Sequence, residues 1–123
     1  MAIQKFEDIV AWNKAQDLAV EIYKTFINSR DFGFKDQINR AVVSVSNNIA
    51  EGFDRKGNKE FVRFLYIASG SCSEVKSMLY LSERLGYFDA EKRSALIEKT
   101  TEVSKIINGL IKSMERKALT PGS

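Results

Sequence analysis

Three glutamates and two arginines at helical spacing are the residues of this chain that could do chemistry. Glu51, Glu60 and Glu74 fall in two predicted helices, and Arg40 and Arg63 share their sector of those helices. Carboxylates placed together could act as an acid/base pair or bind a metal ion. Partly buried carboxylates also need cations as partners, and arginine suits ion pairing better than cation binding. We therefore expect structural pairing, with a carboxylate enzyme as the sharper alternative.

The predicted pairing belongs to a row of polar side chains that runs down the second helix. At 100° per residue this row lies beside the apolar stripe that contains Ile38, Val45 and Ile49. We expect Arg40 and Arg63 to pair with Glu51 and Glu74 across the helices or between subunits. The residues assigned to this structural polar network are Gln37, Arg40, Ser44, Asn48, Glu51 and Glu74.

The chain contains no histidine, and this excludes many familiar sites. A Ser-His-Asp triad, a Cys-His dyad, a histidine zinc site and the Glu-x-x-His di-iron motif all require histidine. Neither a Gly-x-Gly-x-x-Gly pattern nor a P-loop is present to bind phosphate. We therefore expect a non-enzymatic protein with no catalytic residues, no cofactor and no metal.

The composition indicates one domain in a reducing compartment. A chain of 123 residues with 44% hydrophobic residues can bury a core without disulfides or metal. The single cysteine, Cys72, lies on an apolar stripe, and we expect it to be packed in the core. The apolar runs are too short to span a membrane, and the first ten residues lack a signal-peptide pattern. The expected location is cytoplasmic, with no membrane partner.

Hydrophobic periodicity predicts four helices and no strand. Ser29–Gly33 has the composition of a turn, Asn58 and Asp89 are suitable N-caps, and Gly86 is placed for a left-handed C-cap. The predicted helices span residues 7–28, 34–53, 59–85 and 90–117.

The short connections between these helices favour antiparallel neighbours. The expected fold class is all-α, an up-down-up-down antiparallel four-helix bundle over residues 1–118. Residues 119–123 are expected to form a disordered C-terminal tail.

The connection between helices two and three carries the main basic cluster. The net charge of +3 favours an acidic partner but is too small to indicate nucleic acid by itself. A second cluster, Lys112, Arg116 and Lys117, lies near the end of helix four, and the sequence leaves open whether the two clusters meet. The candidate nucleic-acid-binding residues are Arg55, Lys56, Lys59 and Arg63.

Helix three has little surface that requires water. Apolar or small residues occupy much of the side opposite its core stripe, and a glycine in mid-helix costs about 1 kcal/mol relative to alanine. Close approach of another helix would offset that cost, so we expect a homo-oligomer with this side at the interface. The candidate interface residues are Val62, Tyr66, Ser69, Gly70, Ser73 and Tyr80.

Two motifs within these helices resemble a known family. They are Asn-Ile-Ala-Glu-Gly at Asn48–Gly52 and Ile-Ala-x-Gly-Ser at Ile67–Ser71, supported by the Phe6, Trp12 and Phe32 positions. The pattern resembles the four-helix-bundle proteins encoded in intervening sequences of bacterial large-subunit (23S) ribosomal RNA genes. The resemblance covers nearly the whole chain.

The resemblance implies a homopentamer, shaped as a barrel around a central channel, with no established enzymatic activity. The family is also similar in fold to accessory proteins of diversity-generating retroelements, for which binding of nucleic acid and a reverse transcriptase has been suggested. Our leading hypothesis is therefore a homo-oligomer that binds structured RNA or another nucleic acid through repeated basic patches. The alternative is a protein-interaction scaffold, for example for a polymerase or a ribosome-associated protein.

Overall fold

The protein is built from four α-helices that pack as a four-helix bundle in a computed structural model. The structure describes the backbone of residues 3–119 and the side chains of residues 3–116, and no strand occurs in that range. No helix in the same range is both long enough and apolar enough to cross a membrane. The helices are α1 (Val10–Thr25), α2 (Phe32–Asp54), α3 (Asn58–Arg84) and α4 (Ala90–Leu119).

The first helix is shorter than the sequence predicts. A 3-10 turn at Phe6–Asp8 precedes it, and Ile9 between them has an extended backbone. This break allows the Ile9 side chain to turn inward, where only 2% of it is exposed. The side-chain amide of Asn13 donates to the carbonyl oxygens of Glu7 and Ile9, at 2.9 and 3.2 Å. The predicted continuous helix from Glu7 is therefore wrong over its first turn.

The second helix begins earlier than expected because Asp31 caps it. The Asp31 carboxylate accepts a hydrogen bond of 3.2 Å from the Phe34 N–H, which satisfies one of the unpaired donors of the first turn. Phe32 and Gly33 are therefore helical, and the prediction that they belong to the turn is wrong.

The N-terminus of α3 also differs from the prediction by one residue. Gly57 is the N-cap, with φ at +94°, and Asn58 is the first helical residue and not the cap. A positive φ favours glycine because a side chain would clash with the backbone there. Glycine therefore decides where this helix begins.

The C-terminus of α3 and the start of α4 follow the prediction. Gly86 has φ at +79°, its N–H donates to the Glu83 carbonyl, and the Tyr87 N–H donates to the Ser82 carbonyl, both at 2.9 Å. These two bonds form a Schellman motif. Asp89 then caps α4, since its carboxylate accepts from the Lys92 N–H at 2.8 Å.

The fourth helix extends through Leu119, the first residue of the predicted tail. The remainder of that tail, residues 120–123, lies outside the described residues.

One apolar core runs through the bundle, and all four helices contribute to it. The small polar side chains within it satisfy their hydroxyls locally: Ser82 donates to Met78 and Thr100 to Leu96, both at 2.8 Å. The largest fully buried side chains are Leu18, Ile22, Ile38, Val42, Val45, Ile49, Leu65, Val75, Leu79, Leu96, Val103 and Ile107.

Side-chain contacts join each helix to its sequence neighbour and α4 back to α1. These contacts close the bundle around its core and fix where each functional side chain lies along the bundle axis. The joining pairs are Gln16–Ser46, Ser44–Ser71, Ser69–Asn108 and Lys14–Glu102.

Candidate nucleic-acid interface

The four candidate basic residues surround the connection between α2 and α3, which we call the loop cluster (Arg55, Lys56, Lys59 and Arg63). All four side chains are exposed. The arginines are paired, Arg55 with Glu51 and Arg63 with Glu60, each at 2.9 Å. Among the described residues, neither lysine has an acidic partner within 4 Å.

Both arginines of the loop cluster lie against the same aromatic ring. The guanidinium carbon of Arg63 is 4.6 Å from the ring centroid of Phe64, and that of Arg55 is 5.3 Å away. Cation–π contact and a carboxylate partner together hold each guanidinium in a defined position. Because a guanidinium has five N–H donors, one bond to a carboxylate leaves others for a phosphate.

Glu60, the acidic partner of Arg63, is held in its charged form. The hydrogen bond from Arg63 lowers the pKa of Glu60, and the charges of Arg63, Arg55 and Lys59 act in the same direction. The same hydrogen bond raises the pKa of Arg63. Glu51, Asp54 and Glu60 therefore offset much of the positive charge at this connection, and one copy presents a modest field.

The second basic cluster lies at the same end of the bundle as the loop cluster. A cleft of about 390 Å³ is lined by Arg55 and Gly57 from the connection and by Leu110, Ser113 and Met114 from α4. Lys112 is exposed on that same turn of α4. The structure thus shows that the two basic clusters lie at the same end of the bundle, which the sequence leaves open. We call this end, with the loop cluster and the 110–116 turns of α4, the loop end.

The predicted polar network forms in part between α2 and α3. Asn48 donates to the hydroxyl of Ser44 at 2.9 Å, and Ser71 donates to the same hydroxyl at 2.9 Å. Gln37 donates to the Glu74 carboxylate at 3.5 Å, near the limit of a hydrogen bond. The two hydrogen bonds between these helices therefore have neutral donors, the Ser71 hydroxyl and the Gln37 amide.

The two arginines assigned to cross-helix pairing pair along their own helices. Arg40 binds Asp36 at 3.0 Å, and Arg63 binds Glu60, four and three residues away. The predicted pairing with Glu51 or Glu74 across the helices of one chain is therefore wrong. At 81% exposure the Arg40 side chain has no burial to offset, and a partner one helical turn away on its own helix suffices.

The glutamates considered for catalysis are engaged separately. Glu51 and Glu60 have arginine partners, and Glu74 accepts from Gln37. Across the residues with described side chains, no group of three or more acidic or cysteine residues could hold a metal ion. Cys72 is buried as its stripe predicts, and burial raises the pKa of its thiol to about 12.

The predicted oligomer face of α3 borders α4. The Tyr66 hydroxyl donates to Glu115 at 3.2 Å, Ser69 donates to Asn108 at 3.4 Å, and Arg93 lies 5.3 Å from the Tyr80 ring centroid. Val62 packs against the core. The neighbouring helix of the same chain thus accounts for part of this face.

Gly70 and Ser73 belong to the same predicted face and remain exposed. A Cβ added at Gly70 would meet nothing within 4 Å in the described part of the chain, apart from the backbone of its own helix. No close approach within one chain therefore explains this glycine.

The glycine that does permit close approach is Gly52, which sequence reasoning did not single out. A Cβ at this position would lie 2.5 Å from the Cβ of Phe64, the residue that underlies both arginines. The signal was present in the sequence, since Gly52 ends the Asn48–Gly52 motif. The steric constraint on Gly52 becomes visible only when Phe64 of α3 is known to pack against it.

A family model described as 23S rRNA-intervening sequence protein matches residues 7–109. The chain belongs to this family. The family resemblance of its motifs is thereby confirmed, and the structure gives the family pattern a physical basis. Ser44 lies one turn before the Asn48–Gly52 motif and joins Asn48 to Ser71 of the second motif, while Gly52 brings α2 against Phe64.

A solved structure of the same architecture supports this assignment. The chain is 29% identical to a protein of unknown function from the S23 ribosomal protein family of Bacteroides thetaiotaomicron VPI-5482. The similarity covers 84% of this chain and 99% of that one, with a TM-score of 0.78. No curated protein matches the chain.

Proposed function

We propose that this member of the 23S rRNA-intervening sequence protein family is a non-enzymatic, cytoplasmic homo-oligomer that binds structured RNA or another nucleic acid. The observation that carries the proposal is the position of two basic clusters at one end of the bundle. The loop cluster shares a cleft with the α4 turn that carries Lys112. Cations grouped on one surface bind phosphates without reading sequence.

Oligomerisation would strengthen the field of this end. Because three acidic residues lie near the loop cluster, one copy attracts phosphate weakly, and repetition around a symmetry axis multiplies the effect. The proposed assembly is a pentamer of up-down-up-down antiparallel bundles. The contacts that join consecutive helices and α4 to α1 support this helix order.

The test of nucleic-acid binding is a salt titration of fluorescence anisotropy with a structured ribosomal-RNA fragment, beside duplex DNA of equal length. We expect a steep log–log slope and preference for RNA. The double variant Lys56→Glu/Lys59→Glu should abolish binding at about 50 mM salt, because it reverses the two cations without acidic partners. It leaves Arg55 and Arg63 on Phe64, so the fold should be unchanged.

The matched control is Lys76→Glu/Lys105→Glu, which makes the same change in net charge. Both lysines line a small cleft between α3 and α4, midway along the bundle. Binding by the control should decrease much less than binding by Lys56→Glu/Lys59→Glu. Equal losses from the two variants would mean that net charge alone matters and would contradict the assignment to the loop end. Absence of RNA binding by the wild type would refute the proposal.

The oligomer proposal has a test that is independent of RNA. Leucine at Gly70 should disrupt a helix that packs there from another subunit, and light scattering should then report a lower mass. The chain itself leaves space for this side chain, so the subunit should still fold. Gly109→Leu is the control, since an added Cβ at this helical glycine also meets nothing within 4 Å. An unchanged mass for Gly70→Leu would exclude close packing at Gly70.

The second candidate function is a protein-interaction scaffold without direct nucleic-acid binding. The exposure of large apolar residues such as Val20 and Tyr23 on α1 and Tyr66 and Tyr80 on α3 favours it. Partner binding with a weak, flat salt dependence would favour this function over the first.

A further inference from the structure

The cleft at the loop end, which we call the loop-end cleft, has mainly apolar walls. Its volume of about 390 Å³ lies within the range of about 300–1,000 Å³ that is typical of small-ligand sites. Phe53 and Phe61 line it and meet edge-on, with ring centroids 5.8 Å apart. Phe53, Leu110 and Met114 are half-buried, so each keeps part of its surface open to a ligand. The cleft therefore offers aromatic and aliphatic surface to a flat apolar group.

Two polar side chains also line the loop-end cleft. Asn58 is the first residue of α3, Ser113 lies in α4, and both are half-buried. Within the described part of the chain, neither side chain makes a hydrogen bond to another residue. The Asn58 amide and the Ser113 hydroxyl can each donate and accept a hydrogen bond. The cleft therefore matches a ligand that has hydrogen-bonding groups at the edge of an apolar body.

Positive charge borders the loop-end cleft. Arg55 is the one charged residue in its lining, as far as the structure describes the side chains. Its bond to Glu51 leaves other N–H donors of the guanidinium for a second acceptor. Lys56 and Lys59 directly follow two lining residues in sequence, and among the described side chains neither has an acidic partner within 4 Å. An anionic group on the ligand would therefore lie beside cations.

We propose that the loop-end cleft binds the base of one unpaired nucleotide of the bound RNA. The faces of the base pack against Phe53 and Met114, since a nucleobase is flat and apolar on its faces. Its edge carries donors and acceptors, which bond to Asn58 and Ser113. The phosphates on either side of the base lie beside Arg55 and the two lysines.

This site rests on the proposed function, because it takes RNA as the ligand of the loop end. It adds a preference for unpaired nucleotides to that function. Contacts with phosphates position a nucleic acid but do not provide such a preference, since they do not touch the bases. The bases of a paired A-form helix are stacked and cannot enter the cleft, whereas the base of a bulge or loop can turn outward.

Three fluorescein-labelled RNA duplexes of otherwise identical sequence test the proposal with the full chain. One is fully paired, one carries a single bulged adenosine, and one carries an abasic nucleotide in the bulge, which retains the phosphate and lacks the base. At about 50 mM salt, anisotropy should report binding of the adenosine bulge about tenfold tighter than binding of the other two. The two bulged RNAs have the same charge, so a difference between them is due to the base.

The outcomes for the wild type separate this proposal from the proposed function. Equal affinities for the adenosine and abasic bulges would overturn the base-binding site and leave RNA binding by the loop end intact. Absence of binding to all three RNAs would refute both.

Variants of the cleft locate the bound base. Asn58→Ala/Ser113→Ala removes both hydrogen-bonding groups without adding bulk. It should abolish the tenfold preference for the adenosine bulge and leave the affinity for paired RNA unchanged. Ser113→Phe places a ring in the cleft and should have the same effect. A preference that survives in both variants would overturn the proposal.

The matched control is Asn28→Ala/Ser104→Ala, which changes the same residue types elsewhere. Asn28 lines a cleft at the opposite end of the bundle, which we call the turn end, formed by the α1–α2 turn (26–31) and the α3–α4 turn (85–89). Ser104 lines the small cleft midway along the bundle. The control should keep the preference for the adenosine bulge. Its loss in the control to the same extent would contradict the assignment to the loop-end cleft.

A second copy of the chain is the other occupant that the experiment can identify. If Ser113→Phe lowers the mass measured by light scattering, the cleft is an interface between subunits and the proposal fails. The expected result is the mass of the wild type, together with loss of the preference for the adenosine bulge.

Discussion

The two ends of the bundle close the same core by different means. At the loop end, the lack of a side chain at Gly52 allows the backbone of α2 to pack directly against Phe64 of α3. The ring of Phe64 also lies beneath the guanidinium groups of Arg55 and Arg63. At the turn end, aromatic rings from two turns interleave, and a Schellman motif redirects the chain.

This difference decides what each end leaves in solvent. At the loop end the helices themselves cover the apolar core. The short connection there can therefore be entirely polar and carry cations. At the turn end, side chains of the two turns cover the core. Apolar groups therefore remain at the surface of this end, among them Ile27 and Phe32. The following predictions test how the two ends differ in stability.

The largest effect should come from Phe26 at the turn end. Phe26 is 3% exposed and touches two other rings, so Phe26→Ala should lower the free energy of unfolding by about 3–5 kcal/mol. Phe32→Ala, at the same end but exposed, should change it by about 0.5 kcal/mol or less. Urea unfolding at fixed protein concentration measures both. Similar losses would show that Phe32 is packed as a core residue.

The next effect should come from Gly52 at the loop end. Gly52→Ala places a Cβ 2.5 Å from the Cβ of Phe64, an atom that cannot move without its backbone, and should cost about 1–3 kcal/mol. Gly70→Ala should instead stabilise a single subunit by about 0.5–1 kcal/mol, since it replaces glycine in an open helical position. An increase in the free energy of unfolding of Gly52→Ala, measured by urea unfolding, would contradict the close approach at Gly52.

A smaller effect should distinguish two aspartates at the helix termini of the opposite ends. Asp89 caps α4 at the turn end, and Asp89→Ala should cost about 1 kcal/mol. Asp54 is the last residue of α2 at the loop end, where a negative charge faces the negative end of the helix dipole. Asp54→Ala should therefore be neutral or slightly stabilising. Equal losses would mean that the Asp89 cap contributes nothing specific.

The smallest effect should appear as a pH dependence that arises from one hydrogen bond at the turn end. The hydrogen bond from Tyr87 lowers the pKa of Asp31 and raises that of Tyr87. The stabilisation from Asp31 is present above its unfolded pKa of about 3.9 and is lost as pH falls through the lowered folded value. That from Tyr87 is present below about pH 10 and is lost as pH rises through the raised folded value.

The variant Tyr87→Phe removes this hydrogen bond and keeps the ring contact with Phe34. The thermal unfolding midpoint of the variant should therefore change less with pH than that of the wild type, at both extremes. Identical pH profiles would show that the hydrogen bond does not contribute to stability.

The elements of the fold were largely predictable because each has a local signal. The apolar periodicity identified all four helices, and Gly86 and Asp89 marked the end of α3 and the start of α4. The misplaced termini have local causes of another kind. The extended backbone of Ile9 interrupts the first predicted helix and allows the Ile9 side chain to be buried. The α2 helix begins early because the Asp31 carboxylate accepts a hydrogen bond from the Phe34 N–H. Burial and capping geometry depend on neighbours that a helical projection does not contain.

The candidate site was predictable in its residue types but not in its pairing. The loop cluster could be read as four nearby cations, yet which carboxylate each arginine binds depends on side-chain reach along the helix. Sequence reasoning placed Arg63 opposite Glu51 or Glu74, whereas a residue three positions away is nearer. It also assigned Gly70 to a contact with another subunit, which stays a prediction, while within the described chain Gly52 is the glycine at which an added Cβ would clash.

The sequence by itself determined that this protein is helical, that it has four helices with one apolar core, and that histidine chemistry is excluded. Each of these follows from composition or from periodicity along one chain. Only the tertiary structure decided that the second basic cluster lies at the same end of the bundle as the loop cluster, and that two turns far apart in sequence line one cleft. The physical reason is that these properties depend on distances between helices, which packing sets and which no single helix records.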